Sequence, residues 1–206
     1  MTQVKNEPSR TVGETKLSAS VTVDKYKLLE KNEDKAAIAD FIVQRFEERY
    51  FSPVLNSRSR HGFTMLAIGC LVIETLESFY QGLEDTDRKS KRMFIDFFAR
   101  DTPLKPFGKV VTFYSDIRCG ILHQAEIRGG WRITRSSNAP LLDEVGRTIN
   151  AELFIQGLKD AVSTYVIQFQ NDPQLWENLK IKMRKICNNC ERNGTGVISA
   201  QVGGQI

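Results

Sequence analysis

The chain of 206 residues is expected to fold as a mainly α protein, a helical bundle of about five or six helices with a small β-hairpin late in the chain. Three observations point there: apolar residues recur at helical spacing through most of the chain, Asn, Asp and Pro sit where helices would begin, and only two short stretches alternate as strands do. Hydrophobic residues make up 41% and charged residues 26%, which excludes a fibrous repeat or a wholly disordered polymer. The length suits one domain, taken as residues 17 to 190, with residues 1 to 16 a mobile leader and residues 191 to 206 a disordered tail rich in small residues.

Leu17, Ala19, Val21 and Val23 alternate with polar residues as a short edge strand would. The first helix then follows, capped by Asn32, with Glu33 and Asp34 at its positive end and Ile38, Phe41, Ile42 and Phe46 in one stripe; Pro53 marks its end. The second, from Gly62 to about Gln81, is apolar nearly all round to Ile73, then shows Glu74, Glu77, Ser78 and Gln81 at i, i+3, i+4 and i+7. Residues 87 to 100 read as a third helix with Met93, Phe94, Phe97 and Phe98 inward, ended by Thr102-Pro103.

A fourth helix is expected over residues 106 to 127. Gly129-Gly130 then makes a turn, and residues 131 to 134 form a strand that pairs with a second near residues 145 to 149. Two further helices close the domain: one over residues 150 to 170 with Phe154, Leu158, Val162, Tyr165 and Phe169 on a face, and one opened by Asp172-Pro173 and lined by Leu175, Leu179, Met183 and Ile186.

The longest apolar run, residues 63 to 73, is too short to span a bilayer, and the polar N-terminus carries no secretion signal, so no membrane partner is expected and the cytoplasm is the expected location. Four cysteines fit that compartment as reduced thiols; Cys187 and Cys190 have the spacing of half a zinc knuckle with no second half. The acidic loop Glu84, Asp85 and Asp87 reads as solvated and capping, and His61, next to Arg60, as a capping or exposed residue. No cofactor and no metal site are expected. A formal net charge of +4, with basic clusters at Lys89, Lys91 and Arg92, at Arg128, Arg132 and Arg135, and at Lys180, Lys182, Arg184 and Lys185, permits an anionic partner without requiring one.

One segment carries chemistry. Val110, Val111, Tyr114, Ile117, Ile121, Leu122 and Ala125 gather on one face of the fourth helix, and Arg118 falls near the middle of that face. A guanidinium inside an apolar stripe costs several kcal/mol unless acceptors meet it, so it needs the Glu74 and Glu77 stripe, a partner subunit or a phosphate. His123 lies five residues on, about 140° round and 7.5 Å along an ideal helix. One straight helix therefore cannot aim both at one atom; a break at Gly120 or a second copy related by a two-fold axis is needed.

The segment FYSDIRCGILHQAEIRGGWRI, preceded by the apolar helix GCLVIETLESFYQG, resembles the HEPN group (higher eukaryotes and prokaryotes nucleotide-binding), whose signature is Arg, four to six residues, His. The resemblance follows helix order over residues 35 to 190. It implies a HEPN-like bundle that dimerises through the signature helices and, as in many members, a metal-independent ribonuclease of toxin, phage-defence or RNA-processing systems. Only Arg118 and His123 carry over as catalytic residues. Many active members have Asn, Asp or His after the arginine, and this chain departs with Cys119, a poor donor and acceptor. Glu74 and Gln124 complete the expected surroundings, the first from the polar stripe and the second from adjacency to His123.

The chemistry of the two side chains fits the implied activity. Imidazole, with a free-chain pKa of roughly 6.5, serves as base toward the ribose 2′-OH or as acid on the leaving oxygen. Guanidinium offers a planar fork to phosphate oxygens and stabilises charge that grows in the transition state. Two readings stand: an RNA endonuclease acting as a homodimer, held by an antitoxin or other protein partner, and a catalytically silent HEPN module that binds nucleotide, RNA or protein through the same groove.

Overall fold

The computed structural model describes residues 14 to 56 and 61 to 194, and it is mainly helical with one small sheet. Of the expected leader (residues 1 to 16) and tail (residues 191 to 206), residues 1 to 13 and 195 to 206 lie outside the described residues, while residues 191 to 194 are not a disordered tail but continue the last helix.

The expected edge strand at residues 17 to 23 does not form. Leu17 and Val21 are buried, but the chain between them closes into a turn in which Leu17 N–H and Ser18 N–H both donate to the Val21 carbonyl, leaving one isolated bridge between Lys16 and Thr22. A first helix that the alternation concealed, α1 (Val23–Lys31), follows with Thr22 accepting from Lys25 N–H as its cap. Asn32 ends α1 and does not open the next helix; Asp34 caps α2 (Lys35–Phe46), accepting from Ala37 N–H at 3.0 Å. Pro53 does not end that helical path, which passes through a π turn at Glu47–Phe51 into α3 (Ser52–Leu55). There Pro53 lies in the first turn, where its missing N–H costs little.

The sequence reading of α4 (Gly62–Gln81) agrees with the structure at both ends, because Gly82 takes the left-handed conformation that closes a helix. By length and composition α4 is the one described helix able to cross a membrane. Here it is the core helix, packed against α5 (Ser90–Ala99), α7 (Ala151–Asn171) and α8 (Pro173–Gly194). Its apolar first half buries Met65, Leu66, Val72 and Ile73, and Gly69 lets Phe154 of α7 come so close that a Cβ there would lie 2.7 Å from the ring. α5 starts later than residue 87 because Arg88 sits at φ 57, a left-handed conformation that a helix cannot contain.

The continuous fourth helix over residues 106 to 127 is replaced by three pieces. A 3₁₀ turn at Lys105–Lys109 and a π turn at Phe113–Arg118 precede α6 (Cys119–Gln124). Phe107 and Phe113 are both buried, with ring centroids 5.5 Å apart and each beside Phe98 and Phe154. Six residues on an ideal helix would place them on different faces, so the aromatic core overrides the helical period.

Asn150 caps α7, accepting from Glu152 N–H and Leu153 N–H, while its amide donates to the carbonyls of Ser136 and Ala139 and ties the helix to the sheet. That sheet has three strands in the order β1 (Arg132–Thr134), β3 (Thr148–Asn150), β2 (Leu142–Asp143). The expected partners β1 and β3 do pair, but in parallel; β2, unforeseen, makes the antiparallel hairpin with β3. Asp172 opens α8, accepting from Gln174 and Leu175 N–H. Cys187 is buried within α8, and all four cysteines are free thiols.

Candidate functional site

Arg118 is the last residue of the π turn and the cap of α6. The turn faces α4, and the guanidinium donates Nε–H to Glu74 Oε1 at 2.8 Å. Both side chains are largely enclosed, 16% and 14% exposed. The other oxygen of Glu74 accepts the Ser90 hydroxyl at 2.8 Å, so the first residue of α5 fixes the carboxylate from behind. The guanidinium carbon lies 5.5 Å from the centroid of the Tyr114 ring, one turn earlier.

Burial works against the charge on Arg118, yet the hydrogen bond and attraction of Glu74 outweigh it, with Tyr114 and Cys119 adding to them, and hold the guanidinium above its ordinary pKa. Tyr114 is likewise raised, first by burial; Arg118 opposes that rise, and Cys119 and Glu74 add to it. Arg118, Glu74, Ser90, Tyr114 and Cys119 therefore form one connected cluster.

The neighbouring acid of α4 is engaged elsewhere. Glu77 is fully buried, receives Nε–H and an Nη–H of Arg100 at 2.7 and 2.6 Å, and accepts from Gln81 at 2.7 Å. Arg100 stacks 3.7 Å over Tyr80, whose hydroxyl donates to Gln168. Of the two carboxylates considered for Arg118, Glu74 meets it and Glu77 holds the far end of α5.

His123 and Gln124 stand apart from this cluster. Both are exposed on the last turn of α6, and no hydrogen bond or ion pair among the described residues joins either to Arg118. The backbone from Arg118 to Gln124 is regular, so Gly120 provides no break. Its role is a close approach: after Ala125 enters the left-handed region at φ 52, the chain doubles back and the Glu126 carbonyl comes within 2.5 Å of where a Gly120 Cβ would sit. Within one protomer Arg118 lies against α4, largely enclosed, and His123 is exposed to solvent.

Beside the cluster lies a cleft of about 310 Å³ lined by Lys91, Phe94, Ile95, Phe98, Val111 and Tyr114 among others. A separate cleft of about 700 Å³, between the start of α4 and residues 133 to 137, includes none of the cluster residues. Among the described residues no three His, Cys, Asp or Glu side chains are grouped to hold a metal ion.

Ser90, Tyr114 and Arg100 were not singled out by sequence reasoning. Tyr114 carried a signal, four residues before Arg118 on the same face, but it also fitted the apolar stripe. Ser90 and Arg100 bound α5, and only the packing of that helix on α4 brings them to the two glutamates. No protein-family model, curated protein or solved structure matches the chain.

Proposed function

We propose that the protein is a metal-independent RNA endonuclease of HEPN type that acts as a homodimer in the cytoplasm. The observation that carries the reading is the state of Arg118: its charge is secured by one carboxylate through Nε, its side chain remains 16% exposed, and an exposed histidine follows five residues later. A guanidinium anchored this way keeps its outer edge for phosphate oxygens.

In the proposed reaction His123 removes the proton of the 2′-OH, the 2′-oxygen attacks the adjacent phosphorus, and the bond to the 5′-oxygen breaks as that oxygen takes a proton from water. The products are a 2′,3′-cyclic phosphate and a 5′-OH end. Arg118 neutralises the charge that builds on the non-bridging oxygens. Two copies facing each other across α6, whose Leu122 is 43% exposed beside His123, would bring the histidine of one toward the arginine of the other. A toxin or phage-defence setting, with a protein that restrains the enzyme, accords with such an activity. The test is cleavage of single-stranded RNA in EDTA by the wild type and by His123→Ala.

A second reading has its own observation. Cys119 contacts Tyr114 and Arg118 where active HEPN proteins place a stronger hydrogen-bonding residue. A silent module that binds RNA, nucleotide or protein without cutting would show binding and no cyclic-phosphate product.

A further inference from the structure

The cleft shares one wall residue, Tyr114, with the arginine cluster, and Lys91, the residue after Ser90, also lines it. The Tyr114 ring lies 5.5 Å from the Arg118 guanidinium, and Ser90 holds Glu74. The inside is aromatic: Phe94 meets Tyr114 edge-on at 5.6 Å, with Phe98 behind it. At the cleft also stand apolar side chains left in water, Ile95 at 53% and Val111 at 89% exposure. Lys91 is the one cation that lines the cleft, Arg118 adjoins it only through Tyr114, and the exposed apolar rim of Ile95 and Val111 is an arrangement that the folded core alone does not call for.

We propose that this cleft is a nucleobase slot: it takes one unstacked base of a single-stranded RNA next to the phosphate held by Arg118, with Lys91 against the following phosphate. This rests on the RNA-cleaving reading of Arg118 and His123. The volume of about 310 Å³ is at the small end of the roughly 300–1,000 Å³ of ligand pockets, which suits a flat group and not a folded segment. Charge complementarity selects the occupant, because an apolar peptide would leave Lys91 unmatched, whereas a ribonucleotide supplies a π face for the half-buried Tyr114 ring and an anion for Lys91. The slot reads shape and stacking, so it prefers unpaired RNA over duplex.

The experiment uses the full chain and short single-stranded RNAs that are intact or carry one abasic ribose on either side of the cleaved bond, assayed in EDTA, with Val111→Asp as the protein variant. Val111 is exposed enough that the variant folds. One of the two abasic positions is expected to lower kcat/KM about tenfold or more, and Val111→Asp to lower it by a similar factor on intact RNA but not further on that abasic RNA. A wild type that cleaves both abasic RNAs as fast as the intact one overturns the slot and leaves the nuclease standing. Val111→Asp that turns a dimer into a monomer, with no such preference between RNAs, assigns the cleft to a second copy. A wild type that neither cleaves nor binds intact RNA removes the reading on which the slot depends.

Discussion

Arg118 and Glu74, 44 residues apart in sequence, meet at 2.8 Å in a setting that admits little water. The pair is also tethered, since Ser90 takes the second carboxylate oxygen. Removing one partner leaves the other partly buried and unmatched. Glu74→Ala is expected to cost about 2 kcal/mol in urea unfolding and Glu74→Gln about half of that, and the double change with Arg118→Met should cost less than the sum of the singles.

Glu77 offers a contrast within the same helix. It is wholly enclosed, and Arg100 and Gln81 both donate to it. Glu77→Ala is expected to cost about 3–5 kcal/mol, read as a large fall in melting temperature by circular dichroism. Glu77→Gln, if it folds, should leave the chemistry at Arg118 unaltered.

Gly120 tests the return of the chain after α6. An alanine methyl would press on the Glu126 carbonyl, which is backbone and cannot swing aside. Gly120→Ala is expected to cost about 1–3 kcal/mol and to speed amide exchange over residues 120 to 127.

Alkaline stability follows from Cys187. Burial is the largest cause that pushes its thiol from 9.0 to about 11, with Cys190 adding to it and Lys27 opposing. The folded state thus binds this proton more tightly than the unfolded chain. Its contribution is complete below pH 9, shrinks as the pH rises through about 11, and is worth about 2–3 kcal/mol at roughly 1.4 kcal/mol per pKa unit. Cys187→Ala should lose less stability than the wild type in denaturant titrations between pH 8 and pH 11.

The elements most legible in the sequence were those whose ends carry chemistry: α4 stops at a left-handed Gly82, α7 starts at the capping Asn150 and α8 at Asp172. Residues 106 to 127 misled because a π turn inserts a residue and rotates every later side chain, an event that apolar periodicity does not register. The alternation at residues 17 to 23 is that of a strand, but among the described residues no neighbouring strand pairs with it, and a turn buries Leu17 and Val21 while Ala19 stays exposed. For the cluster, a guanidinium in an apolar stripe pointed to a negative companion, with the acids of α4, a partner subunit and a phosphate all open, and the structure supplies Glu74 of α4. Which acid depends on how α5 sits on α4, a tertiary fact that leaves no mark on local spacing.

The central claim is that Arg118 and His123 together cut RNA without a metal. Single-stranded RNA incubated with the protein in EDTA, with product ends identified by mass, tests it most directly. The account predicts 2′,3′-cyclic phosphate and 5′-OH ends from the wild type, no cleavage of DNA, and a rate lower by roughly 10²–10⁴-fold in His123→Ala and in Arg118→Ala variants that remain folded. Undiminished cleavage in His123→Ala, or intact RNA after incubation with a folded, dimeric wild type, would contradict it.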